Sequence, residues 1–375
     1  MREYVLTGVL VAAVTYLLTG YARRFAVATH SFTEVRDRDV HTIPTPRLGG
    51  LAMFVGICAG LLVASRLPTL HRAFQTTSDI SGVLLGATVL VLLGAADDRW
   101  GLDALSKLAG QILAAGIMVL RGVQLLYLPI PGHGALSLGA DLGVPITVLF
   151  VVVTINAINF IDGLDGLAAG VVAIASLSFF AYSYELSVVH HFDRATAPTL
   201  LTAVLAGACI GFLPHNFNPA RIFMGDSGSM LLGLVLAAAT ISLTGQLDPN
   251  ALPADDFAPG LLPLLLPLAV FAVPFFDLVL AVVRRSRAGQ APWEPDKRHL
   301  HHRLLTLGHS HARAVVMMYL WSALIAGGTV TIALSHGRPL LVLSFVLIGA
   351  AVLIVASSVP RLRAIPRPPP TSGSS

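Results

Sequence analysis

Acids, amides and cationic side chains of this 375-residue chain gather in four short stretches. GAADDRWGLDALSKLAGQ (94–111) holds Asp97, Asp98 and, ten residues after Asp97, Lys107, one of two lysines in the chain. NAINFIDGLDGLAAG (156–170) holds Asn156, Asn159, Asp162 and Asp165, and HNFNPARIFMGDSGS (215–229) holds Arg221 and Asp226. DKRHLHHRLL (296–305) holds His299, His301 and His302 beside Arg298 and Arg303. Carboxylates and amide oxygens are hard ligands suited to magnesium. Histidine and arginine are donors suited to phosphate oxygens. A hard divalent cation ringed by cationic donors is what phosphoryl transfer requires, since its catalysis is mostly positioning and charge stabilisation.

Each residue type also has a plainer use. An aspartate at a helix N-terminus is commonly a cap, and Asp98 or Asp165 taken alone could equally be that. Asp255 and Asp256, in the Pro-rich stretch DPNALPADDFAPG, have no basic or histidine cluster nearby and read as solvated loop. HLHH has no cysteine companions and is not the H-E-x-x-H of a metalloprotease. Flanked by Arg298 and Arg303, it favours phosphate over zinc. Arg47, in HTIPTPRLGG (41–50), could anchor at headgroup level or touch a substrate. Asp277 lies seven residues, about 10 Å of helix, before Arg284. An acid that far inside an apolar run usually faces a cavity.

The elements that must position these groups are apolar. Hydrophobic residues make up 55% of the chain and charged residues 12%, with a mean hydropathy of +0.78. Soluble domains carry roughly 25% charged residues, so a soluble fold is excluded. Runs long enough to span a bilayer, roughly 17–25 residues, fall at 4–20, 48–65, 80–96, 104–120, 145–161, 166–183, 197–213, 228–244, 260–283, 314–334 and 339–357. Their length and continuity suit helices rather than barrel strands. The fold class expected is an all-α polytopic membrane protein of about eleven transmembrane helices. The first run lacks a small-residue cleavage site and reads as an anchor.

Placing the 21–47 connection in the cytoplasm puts eighteen of the arginines and lysines inside and six outside. This positive-inside bias sets the N-terminus outside and the C-terminus inside. It also accounts for the net charge of +4 without any nucleic acid. All four polar stretches then fall on the cytoplasmic face, in a single domain, 1–357, with active-site connections at 21–47, 97–103, 161–166, 214–227 and 284–313. Residues 358–375 are Pro- and Ser-rich and read as a disordered cytoplasmic tail. Cys58 and Cys209 lie inside expected spans and suggest neither disulfide nor metal clip. A transporter would also place acids in the membrane, but related halves and a midplane site are not visible.

Together, PTPRLGG, DDRWGLDALSKLAGQ, NAINFIDGLDGLAAG, RIFMGDSGSMLLG and HLHH resemble the polyprenyl-phosphate N-acetylhexosamine-1-phosphate transferases, the family of WecA, TagO and MraY. The likeness covers nearly the whole chain, and DDRWGLDAL looks most like the actinobacterial WecA-type enzymes that use decaprenyl phosphate. Relatives often carry an acid or amide where Gly101 stands. MraY proteins carry three adjacent histidines where Leu300 intervenes here, which disfavours an MraY-like phospho-MurNAc-pentapeptide transfer.

The resemblance implies that the phosphate of a polyprenyl carrier attacks the β-phosphorus of a UDP-N-acetylhexosamine, most simply UDP-GlcNAc, at the plasma membrane. UMP leaves, and a cell-envelope glycan is begun. It implies magnesium, with manganese as a substitute, held by Asp226 and Asn159. Asp97 would contact and deprotonate the carrier phosphate with Asp98 in support. Lys107 and the histidines would hold phosphate oxygens, and Asp162 and Asp165 would shape the nucleotide pocket. Membrane lipids are partners, and a homodimer is compatible with the pattern.

Overall fold

Backbone that runs through hydrocarbon must satisfy its own hydrogen bonds, and the long apolar runs accordingly fold as helices. The computed structural model describes residues 1–29, 31–32, 45–130, 134–189, 192–245, 310–334 and 339–358. In chain order these form α1 (Arg2–Ala28), α2 (Gly49–Ala64), a short α3 (Arg72–Thr76), α4 (Asp79–Trp100) and α5 (Ala104–Leu120). A hairpin of β1 (Tyr127–Ile130) and β2 (Gly134–Ser137) leads to α6 (Gly139–Ile161) and α7 (Leu167–Tyr184). Then come α8 (Thr196–Asn216), α9 (Gly225–Thr244), α10 (His311–Leu334) and α11 (Pro339–Ser358).

Seven of the expected spans coincide with helices long and apolar enough to cross a membrane: Arg2–Ala28, Asp79–Trp100, Gly139–Ile161, Leu167–Val188, Thr196–Asn216, Gly225–Thr244 and His311–Ile332. Three more coincide with shorter apolar helices, Gly49–Ala64, Ala104–Leu120 and Val342–Leu353. The expected span 260–283 lies outside the described residues. The chain is a mostly helical, polytopic membrane protein. Its exterior fits that setting, since Leu17, Leu62, Leu92, Leu113 and Leu149 are all more than half exposed. In water such a surface would be a liability; in lipid it is the solvated face.

Two expectations need correction. The fold is not purely helical, because β1 pairs antiparallel with β2, Tyr127 opposite Ser137 and Ile130 opposite Gly134. Four-residue strands leave no hydropathy signal beside twenty-residue spans. Secondly, Asp97 and Asp98 belong to the last turn of α4, and Asp226 to the first turn of α9, instead of to the connections. Helix α4 ends at Gly101, whose φ of +68° a side chain would resist.

Helix α9 is the axis of the bundle. Every residue in it is buried except Asp226, and α4, α6, α8 and α2 pack around it. A helix apolar on all sides belongs in such a position. Small residues let the backbones close in: a Cβ at Gly94 of α4 or Gly50 of α2 would collide with the Ser227–Gly228 backbone of α9. One end of the bundle is knitted by backbone bonds. Gly49 and Gly50 N–H donate to Phe223 and Met224 O at 3.0 and 2.9 Å, and Phe223 N–H donates to Pro46 O at 2.8 Å. At that same end lie the C-termini of α4, α6 and α8 and the N-termini of α5, α7 and α9.

Candidate active site

Three of the four polar stretches meet at this knitted end. The Lys107 ammonium, one turn into α5, lies 2.7 Å from Asp97 Oδ2 and 2.8 Å from Asp226 Oδ2. Asp97 holds its other oxygen on the Leu102 N–H at 2.7 Å. Across the site Asn159, in the last turn of α6, donates from Nδ2 to Asp226 Oδ1 at 3.0 Å and to Ser229 Oγ at 2.8 Å. Two carboxylates, an ammonium and an amide thus come together from four helices.

Asp98 does something else. Its Oδ1 accepts the Asp226 N–H at 2.9 Å, and its Oδ2 accepts the Ser227 N–H at 3.2 Å and the Ser227 hydroxyl at 3.0 Å. These are orphan donors of the first turn of α9, so Asp98 caps that helix from a neighbouring one and faces its positive dipole end. Gly225 makes room: its φ is +68°, and a Cβ there would strike the Asp98 carboxylate. Arg47 Nη1 lies 3.9 Å from Asp98 Oδ1, at the outer limit of an ion pair. The cap thereby fixes the backbone that carries Asp226.

The remaining sequence candidates fall into place around this centre. Asp165 is 1% exposed and accepts from Asn218 Nδ2 at 2.8 Å and Ala220 N at 3.0 Å, so it holds the α8–α9 connection. Asn216 ties the same connection to the Gly166 N–H at 3.1 Å, and the Tyr319 hydroxyl of α10 donates to Gly166 O. Asp162, just beyond α6, keeps some exposure as a residue, yet its carboxyl lies deep. Burial pushes that carboxyl well above the usual carboxylate range, the charges of Asp226 and Asp98 push the same way, and Arg47 opposes them. Asn156 lies one turn deeper than Asn159 and donates to Gln111 Oε1 at 2.7 Å. Arg221 is exposed at the rim. Asp277, Arg298, His299, His301, His302 and Arg303 lie outside the described residues.

Sequence reasoning passed over Ser227, Ser229 and Gln111. Each stands one, three or four residues from an assigned group, Ser227 and Ser229 after Asp226 and Gln111 after Lys107. For Ser229 and Gln111, helical spacing of three and four from a site residue was the available signal; Ser227, next to Asp226, had none.

Among the described residues no three His, Cys, Asp or Glu side chains form a metal-holding group. The hard donors that do converge are Asp97, Asp226 and, if its amide is turned by half a rotation, the oxygen of Asn159. One or two carboxylates, with water and substrate phosphates supplying the rest, is how magnesium is usually held. The charge balance agrees, with Asp97, Asp98 and Asp226 set against Lys107 and Arg47. These residues fit a hard divalent cation.

The family model described as glycosyl transferase family 4 matches residues 80–244, which contain Asp97, Lys107, Asn159 and Asp226. The chain is 46% identical over 367 residues to a decaprenyl-phosphate N-acetylglucosaminephosphotransferase of Mycolicibacterium smegmatis, covering 97% of this chain and 90% of the relative. It is 33% identical over 305 residues to a phospho-N-acetylmuramoyl-pentapeptide-transferase of Desulforudis audaxviator, covering 75% and 82%. It is 29% identical over 340 residues to an undecaprenyl-phosphate alpha-N-acetylglucosaminyl 1-phosphate transferase of Salmonella typhi, covering 88% and 85%. With the carboxylate, lysine and amide groups of that matched segment assembled at one end of the bundle, the chain belongs to the WecA-type family of polyprenyl-phosphate N-acetylhexosamine-1-phosphate transferases.

Proposed function

We propose that this protein transfers N-acetylglucosamine 1-phosphate from UDP-GlcNAc to decaprenyl phosphate, beginning a cell-envelope glycan. The carrier and the transferred N-acetylglucosamine phosphate are those in the name of the relative at 46% identity, and UDP-GlcNAc is the donor this reading adds. The observation that carries the reading is the Lys107 ammonium held between Asp97 and Asp226, 2.7 and 2.8 Å away, where four helix ends meet. A lipid phosphate reaches this point from the bilayer and a nucleotide sugar from water.

In the reaction an oxygen of the carrier phosphate forms a bond to the β-phosphorus of the nucleotide sugar. The bond from that phosphorus to the bridging oxygen breaks, and UMP leaves with the electron pair. Asp97 contacts the carrier phosphate and takes its last proton. Lys107 offsets negative charge on the phosphates as it builds between the two partners. Asp98 holds Asp226 through the first turn of α9, and Asp165 holds the 218–220 connection beside the pocket. Bound magnesium, or manganese in its place, would be held by Asp226 and Asn159 and would supply charge neutralisation on the phosphate oxygens. Arg47, Arg221, Asn156, Asp162 and Asp277 line or support the substrate sites in this reading, and Arg298, His299, His301, His302 and Arg303 hold phosphates from the 284–313 connection.

The same reading places the protein in the plasma membrane as a single domain, 1–357, of eleven spans. The N-terminus lies outside, and the active site and the 358–375 tail lie in the cytoplasm, as the arginine and lysine bias supports. Either a monomer or a homodimer would serve. The test is UMP release by the purified protein in detergent, given UDP-GlcNAc, magnesium and decaprenyl phosphate together. Release that needs all three is expected. Release with UDP-MurNAc-pentapeptide in place of UDP-GlcNAc would favour the other branch of the family.

A further inference from the structure

One turn deeper in the bundle, the three helices that carry Lys107, Asn159 and Asp226 each present a second side chain. On α5 Gln111 follows Lys107 by four residues, on α6 Asn156 precedes Asn159 by three, and on α9 Met230 follows Asp226 by four. Residues at that spacing share a helix face, so the three form a layer directly beneath the charged one. Asn156 Nδ2 donates to Gln111 Oε1 at 2.7 Å, and Gln111 Nε2 approaches Met230 Sδ at 3.7 Å. Gln111 is 3% exposed, a buried polar side chain with both ends of its amide engaged. Asn156, at the exposed edge of α6, also donates to Val152 O at 2.8 Å, so both of its amide hydrogens have partners in the protein.

Helix α5 buries few side chains and is held to α4 by close packing at Gly82, Gly86 and Gly110. Its buried residues are Gln111, Ala114, Ala115 and Met118, while Leu105, Ile112, Leu113 and Leu120 face outward. Apolar contact supplies little drive between helices in lipid, where small-residue packing and interhelical hydrogen bonds set the association. Yet α5 carries the lysine that must reach two carboxylates on two other helices. We propose that Gln111 is a positioning residue: its amide bond to Asn156 fixes the rotation and depth of α5 so that Lys107 spans Asp97 and Asp226. A neutral amide suits the task. A carboxylate at 111 would compete for the Lys107 ammonium from the deeper side, whereas Asp103 on the outer side is engaged by the Ser106 N–H and hydroxyl. An apolar side chain would make no bond to Asn156.

The kinetic consequence rests on the transferase reading above. A misplacement of about 1 Å is enough to cost on the order of a hundredfold in rate. Gln111→Leu should therefore lower kcat by about tenfold to a hundredfold, with the KM for UDP-GlcNAc changed less than about threefold. Asn156→Leu and the double substitution should lose no more than the single one, because one bond is being broken. Exchanging the partners, Gln111→Asn with Asn156→Gln, keeps the summed length of the pair and should restore most of the lost kcat. Leu113→Ala, on the outward face of α5, is the control and should leave kcat unchanged.

A second measurement does not depend on activity. Amide hydrogen exchange across 104–110 should quicken in Gln111→Leu, stay as in wild type in Leu113→Ala, and recover in the exchanged pair. If the wild-type protein released no UMP, the functional reading would fail while the exchange data still judged this inference. Unchanged exchange in Gln111→Leu, or a kcat loss that the exchanged pair does not recover, overturns the positioning role.

Discussion

Asp226 and Asp98 are adjacent in space and opposite in consequence. Asp226→Asn removes a charge where phosphates and metal are to be held while hardly altering volume, so turnover should fall by at least about a thousandfold. Its thermal transition should move little. Asp98→Asn weakens the cap on the first turn of α9 and should lower stability by about 1–2 kcal/mol, with activity falling alongside. Melting curves and initial rates on the same preparations separate the two. A stable, inactive Asp98 variant would mean that the cap is incidental. Asp97 is tested by pH. A phosphate monoester has a second pKa near 6, so the carrier needs little help losing its proton at pH 9. If Asp97 is the base, the wild-type to Asp97→Asn ratio in kcat/KM should be largest near pH 6 and shrink toward pH 9. A constant ratio rules the base role out. Asp97, Lys107, Asn159 and Asp226 stood out in the sequence because acids, amides and a lysine cluster where apolar runs begin and end. A cap at Asp98 could be suspected too, but not which helix it caps, because its partner Asp226 N–H lies 128 positions away.

The helices were legible for a different reason. A twenty-residue apolar run has few alternatives in lipid, so the spans at 80–96, 197–213 and 228–244 fall within α4, α8 and α9. Their ends were harder to read, because the chemistry sits in terminal turns where polar residues look like connection. Asp97 and Asp98 in α4 and Asp226 in α9 are such cases. The hairpin was missed because four-residue strands carry no periodic signal of useful length. At the junction of α4 and α9, Gly225→Ala should be costly twice over, through a φ of +68° and through collision with the Asp98 carboxylate. Backbone strain of this kind amounts to about 1–3 kcal/mol. The melting temperature should drop and activity should fall with it. Restoration of both by a shorter residue at Asp98 would contradict this account, since the cap would then be dispensable.

Across the whole molecule the account requires one end of the bundle to face the cytoplasm. Ser310 stands exposed before α10, and Thr76 is exposed between α2 and α4, by the positive-inside reading on opposite faces. With Cys58 and Cys209 replaced, Ser310→Cys in intact cells should be protected from an impermeant thiol reagent and Thr76→Cys should react. The reverse pattern would move the site away from cytoplasmic nucleotide sugar. The arginine and lysine bias puts 94–111, 156–170 and 215–229 on one expected face, and the geometry brings the three together in space. The central claim is that phosphorus, and not the sugar alone, moves to the lipid. UDP-GlcNAc carrying 32P at the β-position, incubated with the purified protein, magnesium and decaprenyl phosphate, decides it. The label should pass into the lipid fraction as unlabelled UMP is released, in wild type and not in Asp226→Asn. Label retained in water as UDP while the sugar enters the lipid would contradict the account.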